Sequence, residues 1–465
     1  MAAALAGVLC GCVAGPDFVP PAQHASERYT AAPLPHVELA TQSAPATSSS
    51  PWWAALNDPR LDATIREALE HNRDLAAARA TLGQMQQLAA ASEGARYPQV
   101  DLDASTGRQK YGAAFLGPER LPPFTFFSVG ASVSYMFDFA GGVRRTVERQ
   151  RALADYQQHE ADAAALSLSG NVALQAIAAA SARAQIDSLE ALLQDDRTDL
   201  KLVQDAFAAG SANRVDVLNA QSQLANDQTL LPPLRRALSS ADDALAVLAG
   251  HAPAEWSAPD FTLDEFTMPA QLPRTLPAEL AHHRPDILAS EAQLHAATAA
   301  VGIAAANLYP QINLTATAGL QATALHALFD AGSAAGGLTG GLTQPLFNHG
   351  TLRARARAAD DAMHAALASY EQVVLHSFGQ VADALQALDQ DAELRASEQS
   401  AVSISSENLA LTRESYTAGN TGVLQVLEAQ RQSQQARLGL VRAQAQRYQD
   451  TVQLLLALGG RVPAG

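Results

Sequence analysis

The alternation of apolar and polar side chains is the clearest pattern in the chain, and it predicts β-strands with two unlike faces. Val129, Ala131 and Val133 alternate with serine and glycine, and Ile312 and Leu314 alternate with polar residues in the same way. Strict alternation puts the apolar side chains on one face of a strand and the polar ones on the other. We predict four such strands, at about 98–107, 128–139, 311–320 and 337–347. Each has the length of a tilted strand that crosses a membrane.

Each pair of strands is followed by a long stretch with helical periodicity and no proline. The two stretches run from Gly142 to about Ala208 and from Thr351 to Thr417. At ~1.5 Å per residue, each predicts roughly 100 Å of helix. Each ends at a glycine-containing turn, at 209–213 and 418–422, and a second helical stretch then returns. Their many alanines favour close, coiled-coil-like packing of helices side by side.

The same order of elements occurs twice along the chain. Tyr97-Pro98-Gln99 matches Tyr309-Pro310-Gln311, and the turn at Ala209-Gly210 matches the turn at Ala418-Gly419. Internal repeats of this kind predict two copies of one structural unit. We expect a signal peptide at 1–11, an extended N-terminal segment at 12–60, a first repeat at 61–250, a linker at 251–277, a second repeat at 278–458 and a tail at 459–465.

Four strands are too few to close a barrel, and this predicts an oligomer. An open sheet edge in hydrocarbon leaves backbone groups unpaired, at several kcal/mol each. A cyclic homotrimer would supply twelve strands. The predicted fold is therefore mainly α with a transmembrane β-barrel portion, completed as a trimer. We expect the polar strand face to line water and to carry Asp101, Asp103, Ser132, Ser134, Asp138, Asn313 and Thr315.

Composition narrows the class of function. The net charge is −16 with a pI near 5.1, which argues against a nucleic-acid partner because such proteins need clustered Lys and Arg. No phosphate-binding loop, H-E-x-x-H or C-x-x-C motif is present, so we expect no cofactor, no metal and no enzymatic activity. We also expect that no apolar stretch after residue 12 is long enough to form a transmembrane helix.

The N-terminus has the features of a bacterial lipoprotein signal. An apolar run from Ala2 to Leu9 precedes Leu9-Cys10-Gly11-Cys12, which has the spacing of a lipobox. Cleavage before Cys12 would make this cysteine the lipidated first residue. No Lys or Arg precedes the apolar run, and the sequence leaves open whether the true start lies upstream.

Several motifs together resemble the TolC/OprM/NodT-type outer-membrane efflux lipoproteins. They are Gly15-Pro16-Asp17-Phe18 after the lipobox, Trp52-Trp53, Arg284-Pro285-Asp286, the paired Tyr-Pro-Gln segments, Pro345-Leu346-Phe347 and the block from Tyr416 to Gln430. The resemblance covers nearly the whole chain. It implies a homotrimeric tunnel with a β-barrel in outer-membrane lipid and a long helical barrel in the periplasm. The implied partners are a periplasmic adaptor (membrane fusion protein) and an inner-membrane, proton-driven RND pump.

The resemblance also assigns the two glycine turns to a periplasmic tip that contacts the adaptor and contains the gate. The tip residues are Ala209, Gly210, Ser211, Ala418, Gly419, Asn420, Thr421, Gly422 and Val423. Relatives often carry Asp near the second turn. This chain has none there, so the resemblance does not identify the residues that form the gate. The expected function is a passive exit duct for drugs or other small molecules. The alternatives are the outer-membrane duct of a type I protein secretion system and a lipid-anchored coiled-coil scaffold without a channel.

Overall fold

The computed structural model describes residues 13–22, 28–31, 34–36, 39–43, 51–111, 122–269, 272–274, 280 and 283–460. The predicted signal peptide and Cys12 lie outside the described residues. By its internal contacts the chain divides into two compact units. The first comprises residues 1–21, 81–158 and 289–371, and the second comprises residues 22–80, 159–288 and 372–465.

The described elements follow one another in an order that contains the same succession twice. They are β1 (Leu39–Ser43), α1 (Pro59–His71), α2 (Arg73–Gly94), β2 (Gln99–Gln109), β3 (Phe124–Phe137), α3 (Gly142–Ala208), α4 (Arg214–Gln228), α5 (Leu231–Leu248), β4 (Leu272–Arg274), α6 (Pro285–Ala306), β5 (Gln311–Ala322), β6 (Ala334–Thr343), α7 (Thr351–Thr417) and α8 (Val423–Ala457). Short 3₁₀ turns lie at Trp52–Leu56, Leu325–Ala327 and Ala331–Ser333.

The first unit is built on a four-stranded antiparallel sheet with the strand order β2-β3-β5-β6. Its strands begin close to the predicted positions, but β6 ends at Thr343. The prediction that this strand continues to residue 347 was wrong. Pro345 has no N–H to donate to a neighbouring strand, so the ladder stops before it. Leu346 and Phe347 therefore lie beyond the strand and are exposed.

The helices α3 and α7 have 67 residues each and cover the two stretches with unbroken helical periodicity. The region from Pro59 to Gly94 forms two helices, because Asn72 adopts an extended conformation (φ −61°, ψ 131°) between α1 and α2. The Asn72 side chain accepts a hydrogen bond from the Leu75 amide (3.0 Å) and so caps α2. The return stretch after Gly210 is broken between α4 and α5, where Pro232-Pro233 predicts a break.

The core of the second unit combines helices with segments that have no regular structure. Leu56, Leu61, Ile65 and Phe261 are among its fully buried side chains. Burying each of them contributes about 1.5–3 kcal/mol. Two polar side chains tie the core together: the Trp52 indole N–H donates to Ser169 Oγ (3.0 Å), and the Tyr448 hydroxyl donates to the Phe266 carbonyl (2.6 Å). The predicted linker at 251–277 thus contributes core side chains as well as connecting elements.

One described helix is long and apolar enough to cross a membrane by length and composition. It is α3, in which an 18-residue window has a mean hydropathy of 1.4 and is 50% buried. This corrects the expectation that no such segment follows residue 12. The apolar character of α3 has another explanation, since its residues Val172, Ala176 and Ile177 are fully buried in the core of the second unit.

Candidate channel face and hairpin tips

The strand register places the alternating apolar residues on one common face of the sheet. Val133 on β3 lies opposite Val100 on β2 and Ala316 on β5. Ala131 lies opposite Leu102 in the same way. Directly opposed residues point to the same side of a sheet, so these side chains form one apolar surface. Several of them are strongly exposed in the single chain, with Leu102 at 79%.

The opposite face carries the polar residues that the sequence singled out. Ser132 lies opposite Asp101 and its hydroxyl donates to Asp103 (3.0 Å), while Ser134 lies opposite Thr315. The register brings together Asp101, Asp103, Ser132, Ser134, Asn313 and Thr315. Asp138 is different, because it lies beyond the end of β3 and accepts a hydrogen bond from the Arg144 amide (2.8 Å). Its carboxylate therefore caps the start of α3.

Two glycines bring β3 and β5 unusually close on this polar face. A Cβ atom on Gly319 would lie 2.5 Å from the Val129 carbonyl oxygen and 2.6 Å from the Gly130 Cα. One on Gly130 would lie 2.9 Å from both the Ala318 oxygen and the Gly319 Cα. Only hydrogen fits at either position, so the close approach of the two strands depends on this opposed glycine pair.

Two tight turns with the same geometry join the arms of two helical hairpins. We call α3 with α4 the first hairpin and α7 with α8 the second hairpin. Gly210 and Gly419 both have φ +75°, in the left-handed region that favours glycine. The Ser211 amide donates to the Ala206 carbonyl (2.9 Å), and the Asn420 amide makes the equivalent bond in the second turn. These bonds satisfy carbonyls that the ending helix leaves free.

The start of each returning helix is also capped. Asn213 accepts from the amide of Asp216 (3.0 Å), and the Asp216 carboxylate accepts from the Asn213 amide (3.0 Å). In the second turn the Gly422 amide donates to Gln425 Oε1 (2.9 Å). The predicted tip residues all lie in these turns except Val423, which begins α8. The caps explain why two short turns can reverse very long helices.

Comparison with known proteins assigns the family. A family model described as outer membrane efflux protein matches residues 64–251 and 276–460. The chain belongs to this family. It is 31% identical over 417 residues to the pyoverdine export outer membrane protein OpmQ of Pseudomonas putida, covering 88% of this chain and 87% of that protein. It is 28% identical to the toluene efflux pump outer membrane protein TtgI of Pseudomonas putida, covering 87% and 86%.

A solved structure, that of the outer-membrane channel OprN, has the same fold. The TM-score is 0.88 at 27% identity, and the similarity covers 97% of this chain and 99% of that one. This outer membrane efflux protein is therefore located in the outer membrane and has the fold of known channels. The predicted resemblance, the efflux function and the location are confirmed. Its family and structural neighbours are transport proteins and not enzymes.

Sequence reasoning missed a cluster in the first unit that holds the N-terminal segment of this efflux protein. The Arg145 guanidinium, of which 3% is exposed, donates to Asp17 Oδ1 and Glu148 Oε2, both at 2.7 Å. It also donates to the Ala14 carbonyl (3.2 Å). We call Arg145, Asp17 and Glu148 the N-terminal clasp. Asp17 belongs to the Gly-Pro-Asp-Phe motif. The position of this motif beside the predicted lipobox was the sequence feature that could have pointed to the cluster.

The N-terminal segment makes further contacts around the clasp. Phe18 stacks on the ring of His295 at 4.4 Å between centroids, and His295 Nε2 lies 3.0 Å from Glu148 Oε1. A Cβ on Gly15 would lie 2.5 Å from the Gly302 Cα, so this segment passes against the helix α6 at a glycine. Together these contacts fix the segment that immediately follows the predicted lipid attachment site at Cys12.

The described residues offer no site for a metal ion. No group of three or more His, Cys, Asp or Glu in this part of the chain has a suitable arrangement. Pairs of buried aspartates lie instead inside the two hairpins.

Proposed function

We propose that this chain is one subunit of a homotrimeric duct that lets small molecules pass across the outer membrane and the periplasm without its own energy source. In this assembly twelve strands from three copies close a β-barrel. The apolar sheet face meets lipid and the polar face meets water.

The observation that carries the proposal is the open sheet of the first unit. Among the described residues, β2 and β6 each have one neighbour only, so both outer edges are unpaired. An unpaired edge in hydrocarbon leaves N–H and C=O groups without partners and is strongly disfavoured. Pairing of β2 of one copy with β6 of the next removes both edges, and three copies complete a ring.

The helices support the same assembly. The order helix, strand, strand, 67-residue helix and return helix occurs twice, which fits two structural repeats in pseudosymmetric positions. Three copies would supply twelve helical columns to surround a periplasmic tunnel. The capped turns at Gly210 and Gly419 would form its tip, where a periplasmic adaptor binds and links the duct to an inner-membrane RND pump.

The lipid anchor and the cargo complete the proposal. Cys12 would carry the lipid, and the N-terminal clasp would hold the adjoining segment next to α3. Relatives are named for pyoverdine export, toluene efflux and cation efflux. We therefore propose small molecules of varied chemistry as cargo, and the acidic net charge of the chain is compatible with cationic ones.

Cross-linking of sheet edges tests the assembly directly. Leu102 on β2 and Leu338 on β6 are both exposed on the apolar face, at 79% and 82%. Within one copy β3 and β5 separate these strands, which puts them roughly 14 Å apart at ~4.8 Å per strand. A variant with Leu102→Cys and Leu338→Cys, treated with a thiol reagent shorter than this distance, should give covalent dimers and trimers.

The two single-cysteine variants are the matched controls and should give no trimer. Products confined to monomers in the double variant would contradict the proposed pairing of β2 with β6. Channel activity is a separate test. The purified oligomer should conduct ions in a planar lipid bilayer, and a complete lack of conductance would favour a scaffold without a channel.

A further inference from the structure

Each helical hairpin contains one pair of buried aspartates that faces across its two arms. In the first hairpin, Asp196 on α3 faces Asp227 on α4, and the two residues are 4% and 8% exposed. In the second hairpin, Asp391 on α7 faces Asp450 on α8, at 6% and 7% exposed. Buried carboxylates are costly unless they are neutralised or fully hydrogen-bonded.

The hydrogen bonds at the first pair leave one oxygen without a donor. Gln223 Nε2 donates to Asp227 Oδ2 (2.7 Å), and Gln430 Nε2 of α8 makes a long bond to Asp196 Oδ1 (3.4 Å). Asp196 Oδ2 is buried, and no donor among the described residues reaches it. Two ionised carboxylates can only accept, so a proton between them is what would satisfy this oxygen.

The second pair repeats this arrangement. Gln446 Nε2 donates to Asp450 Oδ2 (2.9 Å) from one helical turn away. Asp391 Oδ2 is buried, again with no donor among the described residues. In both hairpins, therefore, the returning helix carries a Gln four residues before its Asp, and the long helix carries the carboxyl group with the unsatisfied oxygen.

The charges around the pairs do not neutralise them. Asp195 and Asp199 lie beside Asp196, and the nearby Arg413 on α7 is engaged with Asp195 (3.3 Å). Burial, together with the Asp227 carboxylate, raises the pKa of Asp196 to about 7.

Burial and the contact with Asp450 raise the pKa of Asp391 to about 7, and the nearby Arg447 opposes this shift. Both pairs therefore favour a shared proton near neutral pH.

We propose that each aspartate pair, holding one shared proton, is a proton-dependent lock that keeps the two arms of its hairpin packed together. Loss of the proton leaves two facing carboxylates in a buried interface, and their repulsion loosens the arms. The first pair also lies at a contact between hairpins, because Gln430 of the second hairpin donates to Asp196. Loss of the proton from the first pair therefore weakens both the first hairpin and the contact of this hairpin with the second.

The direction of the pH effect follows from the shift. The folded hairpin binds this proton more tightly than an opened hairpin, in which the aspartate pKa returns towards its ordinary value of 3.8. The stabilisation is complete at low pH and is lost as the pH rises through about 7. Asp196 lies fourteen residues before Gly210, so the lock acts roughly 21 Å from the turn at ~1.5 Å per residue.

Infrared titration of the purified full-length protein tests the lock. At pH 6 the ordinary carboxyl groups are ionised, so the remaining band of protonated carboxylic acid reports groups with a raised pKa. We expect this band to disappear between pH 6 and pH 8.5. Asp196→Asn should remove part of it, and Asp391→Asn another part. Asp187→Asn is the matched control, because Asp187 is an exposed aspartate on the same helix α3, and it should leave the band unchanged.

Hydrogen–deuterium exchange supplies the structural readout. After correction for intrinsic rates, protection of residues 189–200 and 222–228 should be about tenfold lower at pH 8.5 than at pH 6, as expected for release of one proton. Asp196→Asn supplies a neutral donor at every pH and should abolish this difference. A wild-type protein whose acid band and protection do not change over this range would overturn the proposal. So would an Asp196→Asn variant that retains both changes.

Should Asp196→Asn fail to fold, Asp227→Asn and the wild-type titration carry the same test. The lock depends on the proposed function only in assigning the hairpins to the periplasm, where pH follows the medium. Neither readout requires conductance or an adaptor, so the lock and the duct can fail separately.

Discussion

Replacing Arg145 with methionine should release the N-terminal segment without unfolding the first unit. Methionine keeps an unbranched apolar stem against Gly302, where a Cβ would lie 2.8 Å from the Arg145 Cγ, but it removes every hydrogen bond of the guanidinium. The lost bonds to the segment are those to the Ala14 carbonyl (3.2 Å), the Gly15 carbonyl (3.4 Å) and the Asp17 carboxylate (2.7 Å).

The size of the effect follows from these contacts. The bond to Gly15 is long, and the Asp17 side chain is 89% exposed, so solvent weakens that ion pair. Counting the bonds to Ala14 and Asp17 at about 1–1.5 kcal/mol each gives a loss of about 2–3 kcal/mol for closing the segment. At 1.4 kcal/mol per factor of ten, local opening should become about 30- to 140-fold more frequent.

The amide of Ala14 is a suitable reporter, because it donates to the Ala140 carbonyl (2.9 Å) in the closed segment. Hydrogen–deuterium exchange of a peptide covering residues 13–20 should accelerate by that factor. Arg144→Met is the control, since Arg144 is the neighbouring arginine in sequence but its side chain is exposed. Unchanged exchange in Arg145→Met, or equal acceleration in both variants, would show that the clasp does not hold the segment.

Three further substitutions test the sheet and the tip. Lysine at Val133 should reduce the yield of the outer-membrane oligomer on gels, because a charge on the lipid face costs about 2–4 kcal/mol. Lysine at the neighbouring Ser134 should be tolerated. Equal yields would contradict the assignment of Val133 to the lipid face and Ser134 to the polar face. Gly319→Ala should lower thermal stability by about 1–3 kcal/mol through the clash between β3 and β5, while Gly341→Ala, whose Cβ would meet nothing closer than 3.9 Å, should not. Gly210→Ala should destabilise the tip by about 1–2 kcal/mol in denaturant titrations, since φ is +75° there, and an unchanged midpoint would show that the turn relaxes.

Periodicity predicted the sheet well because each strand separates two unlike environments. The alternation at Val129 to Val133 assigns side chains to faces without any knowledge of partners, and the register then aligns those faces across β2, β3 and β5. The long helices could be predicted for a similar reason, since nothing in α3 or α7 interrupts helical geometry. Pattern reasoning succeeds where a local signal is repeated many times along an element.

The features that were missed depend on single residues with distant partners. Asn72 ends α1 and caps α2, and its side-chain Nδ2 donates to the Leu248 carbonyl (3.0 Å), far away in sequence. In the sequence Arg145 is an ordinary arginine in the first turn of a helix, and only the structure shows that it pairs with Asp17. The aspartate pairs are similar, because nothing local to Asp196 indicates that Asp227 faces it. Such contacts are set by tertiary packing, which composition and periodicity do not encode.

Polar contacts between helices have a specific role in a protein whose helices are rich in alanine. Smooth alanine surfaces can pack in several registers, and a slip by one turn shifts a helix by ~5.4 Å at little apolar cost. Between α3 and α8, Gln434 Nε2 donates to the Ser188 carbonyl and Arg442 Nε donates to Gln185 Oε1, both at 3.0 Å. A slip by one turn would break both bonds and also the contact of Gln430 with Asp196. We therefore expect these few polar side chains to select one register for very long helices. Because Gln430 donates to Asp196, the proposed proton-dependent lock would make that selection sensitive to pH.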